Sequence, residues 1–215
     1  MQNDSNFSRD WLLIANGAPV SRAKLRTLAN NKSIMVLDGA YEYVKHCDLQ
    51  IDILLGDFDS INPAVLAQVK TTSVQVVHAP DQNKTDLEKG ILYLDQLSAR
   101  SIVIAAATGQ RLQHTLYNLR ILKKFHEVTR PLQLVTEDEY INYVENDELP
   151  ISGKINDSIG ILGFPEARIT SMGLKYEVED YPLQFELAAS VANALMQEQA
   201  SVKVQGGALI IRETS

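Results

Sequence analysis

Two aspartates separated by one residue, Asp57 and Asp59, are the side chains in this sequence best suited to hold a metal ion. They follow a short apolar run, Ile53–Leu55, within the segment Gly-Asp-Phe-Asp-Ser. In an extended or turning segment, residues i and i+2 can both reach one ion, and Mg²⁺ prefers oxygen ligands that include one or two carboxylates. The alternative is a capped surface turn, because aspartate and glycine are common turn residues.

Further acids follow neighbouring apolar runs. Asp38 comes directly after Ile34–Leu37, and Asp86 begins a helical segment that follows the next run after the aspartate pair. Ligands of open parallel α/β sheets bind beyond the carboxyl ends of the strands, so we expect these acids to converge with Asp57 and Asp59. Clustered carboxylates repel one another without a cation. The combined pattern therefore favours a Mg²⁺ site over a surface turn.

Cationic and polar side chains occupy equivalent positions after the predicted strands. Arginine suits bidentate phosphate recognition, and lysine can neutralise phosphate charge. Lys84 and Arg111 could instead be solvated surface cations. The sequence contains neither a Walker A loop nor a G-x-G-x-x-G motif, so nucleotide binding would use another loop arrangement. The strand-end groups suited to phosphate are Asn16, Gly17, Gln82, Lys84, Thr85, Arg111 and His114.

The elements that must position these residues alternate between short apolar runs and helical segments, which predicts a mostly parallel sheet flanked by helices. Asn62 and Pro63 predict a helix to about Val69, Thr85–Glu88 predicts a capping box, and a further helix is expected from His114. We assign this α/β domain to residues 1–139. Its predicted strands are Trp11–Ala15, Ile34–Leu37, Ile53–Leu55, Val74–Val77, Ile102–Ala106 and Leu132–Val135.

The pattern changes after Val135. Thr136–Pro150 is rich in acids, and we expect Glu137–Glu148 within it to be a solvated linker. Short apolar runs punctuated by glycine and proline then predict a smaller all-β, sandwich-like domain over residues 140–215. Its predicted strands are Ile155–Phe164, Ala167–Ile169, Leu174–Val178, Val202–Val204 and Ala208–Ile211.

Composition excludes several classes of protein. The chain has 215 residues, is 45% hydrophobic and carries a formal charge of −7. The apolar fraction excludes wholesale disorder, and no apolar run approaches the roughly 18 residues of a membrane span. The acidic balance argues against nucleic-acid binding. Met1–Asp10 lacks the features of a signal peptide, and the single cysteine, Cys47, allows no internal disulfide, so a cytoplasmic location is expected.

Taken in order, four segments resemble the thiamine pyrophosphokinase family. The order, spacing and strand-end placement of the segments all agree with that family, and the resemblance covers nearly the whole chain. Gly-Asp-Phe-Asp-Ser and Lys-Thr-Asp-Leu-Glu are specific in combination. The segments are Leu37–Ala40, Leu55–Ile61, Asp81–Glu88, and Thr108–His114 with Asn118.

The resemblance implies a homodimeric enzyme that transfers pyrophosphate from ATP to the hydroxyl group of thiamine, giving thiamine diphosphate and AMP. The α/β domain would bind ATP and Mg²⁺, and the β-rich domain would help to bind thiamine. By that pattern Asp57, Asp59 and Asp86 would be catalytic metal ligands, with Asp38 a further candidate, and Arg111 a catalytic residue on the triphosphate. Ser190, Asn193 and Gln113 would face thiamine.

Three residues depart from the family pattern. Gln113 stands where the family usually has an aspartate, and a glutamine is a poorer Mg²⁺ ligand and no general base. Ala40 and Ala192 replace a usual glycine and a usual serine. Two alternatives therefore remain open: a non-catalytic thiamine- or nucleotide-binding relative, and another Mg²⁺-dependent phosphoryl-transfer enzyme that uses the Asp-x-Asp pair.

Overall fold

A computed structural model of the chain describes residues 7–59, 61–127, 130–186 and 189–213. The chain divides into two compact units, Met1–Glu137 and Asp138–Ser215. Each unit has its own strands and its own buried apolar side chains. The first carries the predicted metal and phosphate ligands, and the second carries Ser190 and Asn193.

The first unit is built on a parallel sheet in the order β6-β5-β1-β2-β3-β4. Every residue of β2 is buried, as expected of a strand whose two faces are both covered. The predicted α/β class, with a parallel sheet followed by antiparallel strands, is confirmed. The strands are β1 (Asp10–Ile14), β2 (Ser33–Leu37), β3 (Ile53–Gly56), β4 (Gln75–His78), β5 (Ser101–Ala105) and β6 (Leu132–Val135).

Helices connect these strands, and side-chain caps start several of them. Asn62 Oδ1 accepts a hydrogen bond from the Ala64 N–H at 2.9 Å, which confirms the predicted start at Asn62 and Pro63. The helix expected from His114 begins two residues earlier, at Leu112. The helices are α1 (Arg22–Ala29), α2 (Tyr41–Val44), α3 (Pro63–Val69), α4 (Asp86–Gln96) and α5 (Leu112–Lys124).

The capping box predicted at the start of α4 is only half formed. Thr85 Oγ1 accepts a hydrogen bond from the Glu88 N–H at 3.3 Å. The Glu88 carboxylate does not complete the box, because it accepts hydrogen bonds from Tyr117 and Lys124 on α5 instead. A contact between helices therefore replaces the local contact that the sequence pattern predicted.

The second unit consists of antiparallel strands in the order β10-β9-β12-β7, with β11 on β9 and β8 on β12. Its core comes from apolar residues of these strands, such as Ile161, Val202 and Ile210. The strands are β7 (Glu139–Glu145), β8 (Glu148–Ser152), β9 (Ser158–Met172), β10 (Tyr181–Gln184), β11 (Ala189–Ala194) and β12 (Gln199–Glu213).

Two predictions for this region are wrong. The acidic linker expected over Glu137–Glu148 contains β7 and the start of β8, because alternating Ile141 and Tyr143 are buried while the acids lie at exposed or half-buried positions. The strand expected over Leu174–Val178 is absent from the described structure, because β9 ends just before Gly173, which has φ +78°. A glycine in this left-handed conformation turns the chain out of the strand.

An ion pair at the start of β1 gives a prediction about stability. Arg100 Nε donates to Asp10 Oδ1 at 3.0 Å, and Ser101 Oγ donates to the same atom at 2.7 Å. The bond from Arg100 is the main cause that lowers the pKa of Asp10 from 3.8 to about 2. We expect Asp10→Asn to reduce the free energy of unfolding at pH 7 by about 1 kcal/mol, because solvent screens the exposed arginine.

The sign of the pH dependence follows from the lowered pKa. The carboxylate stabilises the folded state fully above pH 3.8, and this contribution is lost as the pH falls toward about 2. Urea unfolding at pH 7 and pH 3 should therefore give a difference between wild type and Asp10→Asn that shrinks by about half at pH 3. Asp48→Asn is the matched control, since Asp48 pairs with Arg26 but is 71% exposed. An equal effect of Asp10→Asn at both pH values would contradict the assignment.

Candidate active site

A cavity of about 490 Å³ opens at the carboxyl ends of the strands in the first unit. It lies where the loops after β1, β2 and β5 and the starts of α4 and α5 meet, as expected for an open parallel sheet. Asp59, Gln113, Ser190 and Asn193 are not among its lining residues. Ten residues predicted from the sequence do line it: Asn16, Gly17, Asp38, Asp57, Gln82, Lys84, Thr85, Asp86, Arg111 and His114.

The loops after β1 and β5 form one wall of the cavity, and Gly17 permits their close approach. The Gly17 N–H donates to the Ala106 carbonyl, and the Ala18 N–H donates to the Thr108 carbonyl at 2.7 Å. A Cβ on Gly17 would lie 2.5 Å from both carbonyl oxygens. Gln110 Nε2 also donates to the Gly17 carbonyl at 2.9 Å. Glycine is therefore required at position 17 by backbone atoms that no side-chain rotation can move.

Asp38 is a buried carboxylate that shapes the loop after β3. Its Oδ1 accepts from the Gly39 N–H at 2.7 Å, and its Oδ2 accepts from the Phe58 N–H at 2.8 Å. Burial raises its pKa, and these two backbone hydrogen bonds oppose the rise. Phe58 has φ +64°, so the bond from Asp38 helps to hold a strained turn between Asp57 and Asp59.

Asp57 and Asp59 lie beside Asp38 as the sequence pattern predicted. One carboxylate oxygen from each of the three lies within 4.8 Å of the others. Backbone hydrogen bonding from the Asp59 N–H, at 3.2 Å, and a bond from Gln82 lower the pKa of Asp57. Three anionic oxygen donors in this spacing fit a hard divalent cation, which would offset their repulsion. Ser60 of the same motif lies outside the described residues.

Asp86, the expected third ligand, lines the cavity but pairs with a lysine of its own helix. It is the first residue of α4, and its Oδ1 accepts from Lys89 Nζ at 2.9 Å. Asp86 lines the cavity but is not a member of the three-carboxylate group among the described residues. Sequence reasoning missed Lys89, which is 8% exposed and also lines the cavity. The available signal was its spacing, since residues i and i+3 share one helix face.

Cationic groups line the cavity beside these acids. Lys84 pairs with Asp81, which raises the pKa of Lys84. Arg111 stands directly before the first residue of α5, and His114 lies within the first turn. Asn118, one turn further along, donates to the Ala107 carbonyl at 2.7 Å and so fastens α5 to the loop after β5. The cavity thus carries two members of the carboxylate cluster, Asp38 and Asp57, together with cationic side chains, which suits a metal-bound phosphate group.

In the second unit, Ser190 and Asn193 lie together on β11, which pairs with β9 through an irregular register between them. Asn193 is 4% exposed. Its side chain accepts from the Tyr176 N–H at 3.0 Å and donates to the Tyr176 carbonyl at 2.9 Å, and it donates to Ser190 Oγ at 3.4 Å. Asn193 therefore fixes the turn that carries Tyr176, whose side chain is exposed.

Two family models match the chain. Residues 25–134 match the model described as "Thiamin pyrophosphokinase, catalytic domain", and residues 148–209 match "Thiamin pyrophosphokinase, vitamin B1 binding domain". The first match contains the aspartate cluster, and the second contains Ser190 and Asn193.

Individual proteins agree with these matches. The chain is 30% identical over 162 residues to Thiamin pyrophosphokinase 1 of Caenorhabditis elegans, covering 70% of this chain but only 65% of that protein. It is 28% identical over 201 residues to Thiamine pyrophosphokinase 2 of Arabidopsis thaliana, covering 84% of this chain and 74% of that protein. The match thus spans about two thirds of the Caenorhabditis elegans protein and about three quarters of the Arabidopsis thaliana protein.

Solved structures share the fold. Thiamine pyrophosphokinase from Bacillus subtilis superposes with a TM-score of 0.83 at 20% identity, covering 95% of this chain and 99% of that one. The enzyme from Candida albicans superposes with a TM-score of 0.82 at 19% identity, covering 98% and 91%. At this level of identity the likeness establishes the fold.

Proposed function

The chain belongs to the thiamine pyrophosphokinase family, and from that premise we propose that it transfers the pyrophosphoryl group of ATP to the hydroxyl group of thiamine, giving thiamine diphosphate and AMP. One observation carries the proposal. The cavity is lined by Asp38 and Asp57 of the carboxylate cluster and by cationic side chains, within the region that matches the family's catalytic domain.

The two units would bind different substrates. Residues 1–139 would form the domain that binds ATP and Mg²⁺, and residues 140–215 the domain that helps to bind thiamine. The match of residues 148–209 to a vitamin B1 binding model supports the second role. Ser190 and Asn193 would contribute there, with Asn193 acting through the turn that it fixes at Tyr176. Gln113, on α5, is the proposed thiamine contact in the first unit.

Residues around the cavity would hold the triphosphate of ATP. Arg111 can donate two hydrogen bonds to phosphate oxygens, and Lys84 and His114 add positive charge. Gln82 and Thr85 offer neutral donors from the loop that leads into α4, while Asn16 and Gly17 supply the loop after β1. These contacts would orient the triphosphate of ATP from both sides of the cavity.

The cation that fits the carboxylates is Mg²⁺. Asp57 and Asp59 would hold it, with Asp86 and Asp38 as the further candidates. When bound, Mg²⁺ neutralises phosphate charge and stabilises the charge that develops on the phosphate oxygens. Asp38 would contribute mainly by fixing the Asp57–Asp59 turn, because both of its oxygens already accept backbone hydrogen bonds.

The proposed reaction forms one bond and breaks one bond. The thiamine hydroxyl oxygen attacks the β-phosphorus of ATP, and the bond from that phosphorus to the oxygen shared with the α-phosphorus breaks. AMP leaves with the electron pair, and the hydroxyl proton passes to a base, for which the cavity carboxylates are candidates. Positioning and electrostatic stabilisation by Arg111 and Lys84 supply the acceleration, as is usual for phosphoryl transfer.

We propose that the enzyme acts as a homodimer in the cytoplasm. Exposed apolar side chains of the second unit, Phe185 and Val191, are each 65% exposed, and a second copy of the chain would cover them. The only cysteine, Cys47, is a free thiol, which suits a reducing compartment. Among the described residues, the helices are too short or too polar for a membrane span.

An assay with purified protein, ATP, Mg²⁺ and thiamine tests the proposal. We expect AMP formation that depends on thiamine. Release of phosphate without thiamine would favour a different Mg²⁺-dependent phosphoryl-transfer enzyme. Tight thiamine binding without turnover would favour a non-catalytic relative.

Gln113 gives a prediction of small effect on rate. Its side chain is exposed in the first turn of α5 and lies outside the cavity lining. We expect Gln113→Asp to change kcat by less than about threefold and to raise the melting temperature slightly, because an acid near a helix N-terminus is worth about 0.5 kcal/mol. Steady-state kinetics and thermal unfolding measure both effects. A rate gain of about tenfold or more would mean that the glutamine limits catalysis.

A further inference from the structure

Glu88 is a buried charge for which the proposed chemistry gives no role. It is 2% exposed and sits on α4, two residues after Asp86. Its Oε2 accepts from Tyr117 Oη at 2.7 Å, and its Oε1 pairs with Lys124 Nζ. Burying a carboxylate is unfavourable unless it is paired and hydrogen-bonded, so these two bonds are what keep it in this position.

Both bonds run from α4 to α5, and these helices hold different parts of the cavity. The first turn of α4 supplies Asp86 and Lys89, and α5 is preceded by Arg111 and supplies His114 and Asn118. A triphosphate bound in the cavity would contact both groups of residues. The separation of the two helices therefore decides whether those contacts can form together.

Helix geometry places the connection beside the cavity and outside it. Successive residues of a helix are about 100° apart, so Asp86 and Lys89 share the face toward the cavity while Glu88 points away from it. Neither Glu88 nor Tyr117 belongs to the cavity lining. Tyr117 lies between His114 and Asn118 along α5, one helical turn after the former, so a shift at Tyr117 would move both.

We propose that Glu88 and Tyr117 form a positioning pair that aligns the α4 and α5 sides of the cavity for the triphosphate, an inference that rests on the proposed function. The pair does not touch the reacting atoms. Its hydrogen bond sets the spacing of residues that do, and displacement of such residues by about 1 Å can reduce turnover on the order of 100-fold.

The decisive variant is Tyr117→Phe, which removes one hydroxyl group and leaves Glu88 paired with Lys124. We expect kcat to fall about tenfold or more. The Kd of a non-hydrolysable ATP analogue in the presence of Mg²⁺, measured by titration calorimetry, should rise about fivefold. The melting temperature should fall by no more than about 6 °C, since a hydrogen bond to a charged group is worth about 2 kcal/mol.

Tyr93→Phe is the matched control. Tyr93 is also on α4, and its hydroxyl accepts from Gln75 Nε2 at 2.9 Å on the side of β4. Removal of the Tyr93 hydroxyl group should leave kcat and the Kd of the analogue unchanged. Glu88→Gln keeps an acceptor for Tyr117 and should retain kcat within about threefold, whereas Glu88→Ala should lose as much as Tyr117→Phe. The double variant Glu88→Ala/Tyr117→Phe should lose little more than either alone, because the two residues act through one contact.

Other outcomes would overturn the proposal. A Tyr117→Phe protein that loses stability but keeps wild-type kcat and analogue Kd would show a purely structural role. Equal losses in Tyr93→Phe would show that the effect is not specific to the α4–α5 contact. If wild-type protein forms no AMP with thiamine, the proposed function fails by itself, and the analogue Kd values still decide the positioning role. If wild-type protein does not bind the analogue, both the proposed function and the positioning role are overturned.

Discussion

Asp57→Asn should reduce kcat on the order of 1,000-fold while leaving the fold intact. Asparagine has the same shape but is neutral, and one of its two terminal atoms is a donor. The substitution therefore removes an anionic ligand from the three-carboxylate group. It also places an NH₂ group, which cannot bind a metal ion, where the ion needs an oxygen ligand. Steady-state kinetics over a range of Mg²⁺ concentrations measures the loss.

The same variant should be only slightly less stable than wild type. Asp57 accepts hydrogen bonds from the Asp59 N–H and from Gln82, and these bonds lower its pKa, so the folded protein favours the charged form and loses a little stability when that charge is removed. We expect the melting temperature without Mg²⁺ to fall by no more than about 3 °C, because solvent screens this half-buried group. Asp48→Asn, which changes an exposed aspartate that does not line the cavity, should leave kcat unchanged. Normal turnover of Asp57→Asn would show that the metal assignment is wrong.

Gly17→Ala should have the second largest effect, on both stability and nucleotide binding. The new methyl group would meet two backbone carbonyl oxygens at 2.5 Å, and only separation of the loops after β1 and β5 could relieve the clash. Overpacking of this kind costs about 3 kcal/mol. Since those loops form one wall of the cavity, we also expect affinity for Mg²⁺–ATP to fall about tenfold or more.

Gly160→Ala is the matched control for that substitution. The nearest atom to a Cβ at Gly160 is Ile211 Cβ at 3.8 Å, an ordinary contact distance, and its φ lies outside the left-handed region. Urea unfolding should therefore show a change of less than about 1 kcal/mol for Gly160→Ala. If Gly17→Ala were equally well tolerated, the close approach of the two loops would not be a requirement of the site.

Much of the first unit could be predicted because its signals are local. Apolar runs predict the strands, and the rule that ligands bind at strand ends predicts that Asp38, Asp57 and Arg111 lie at one cavity, as they do. Helix starts were predicted where a side chain caps its own turn, as at Asn62. These features depend on a few neighbouring residues.

The predictions that failed depend on contacts between distant residues. Glu88 has the spacing of a capping box, but its carboxylate turns to Tyr117, 29 positions away. Lys89 was missed because its pairing with Asp86 becomes visible only when α4 is known to face the cavity. The acids after Val135 suggested a linker, because the partner strand that makes β7 part of a sheet, β12, comes more than 50 residues later.

Phosphorus NMR of the products tests the central claim most directly. Wild-type protein incubated with ATP, Mg²⁺ and thiamine should give thiamine diphosphate and AMP in equal amounts, because attack at the β-phosphorus transfers both outer phosphates together. Formation of ADP with thiamine monophosphate would place the attack at the γ-phosphorus, and ADP with inorganic phosphate would mean hydrolysis. Either result would contradict pyrophosphoryl transfer at this cavity.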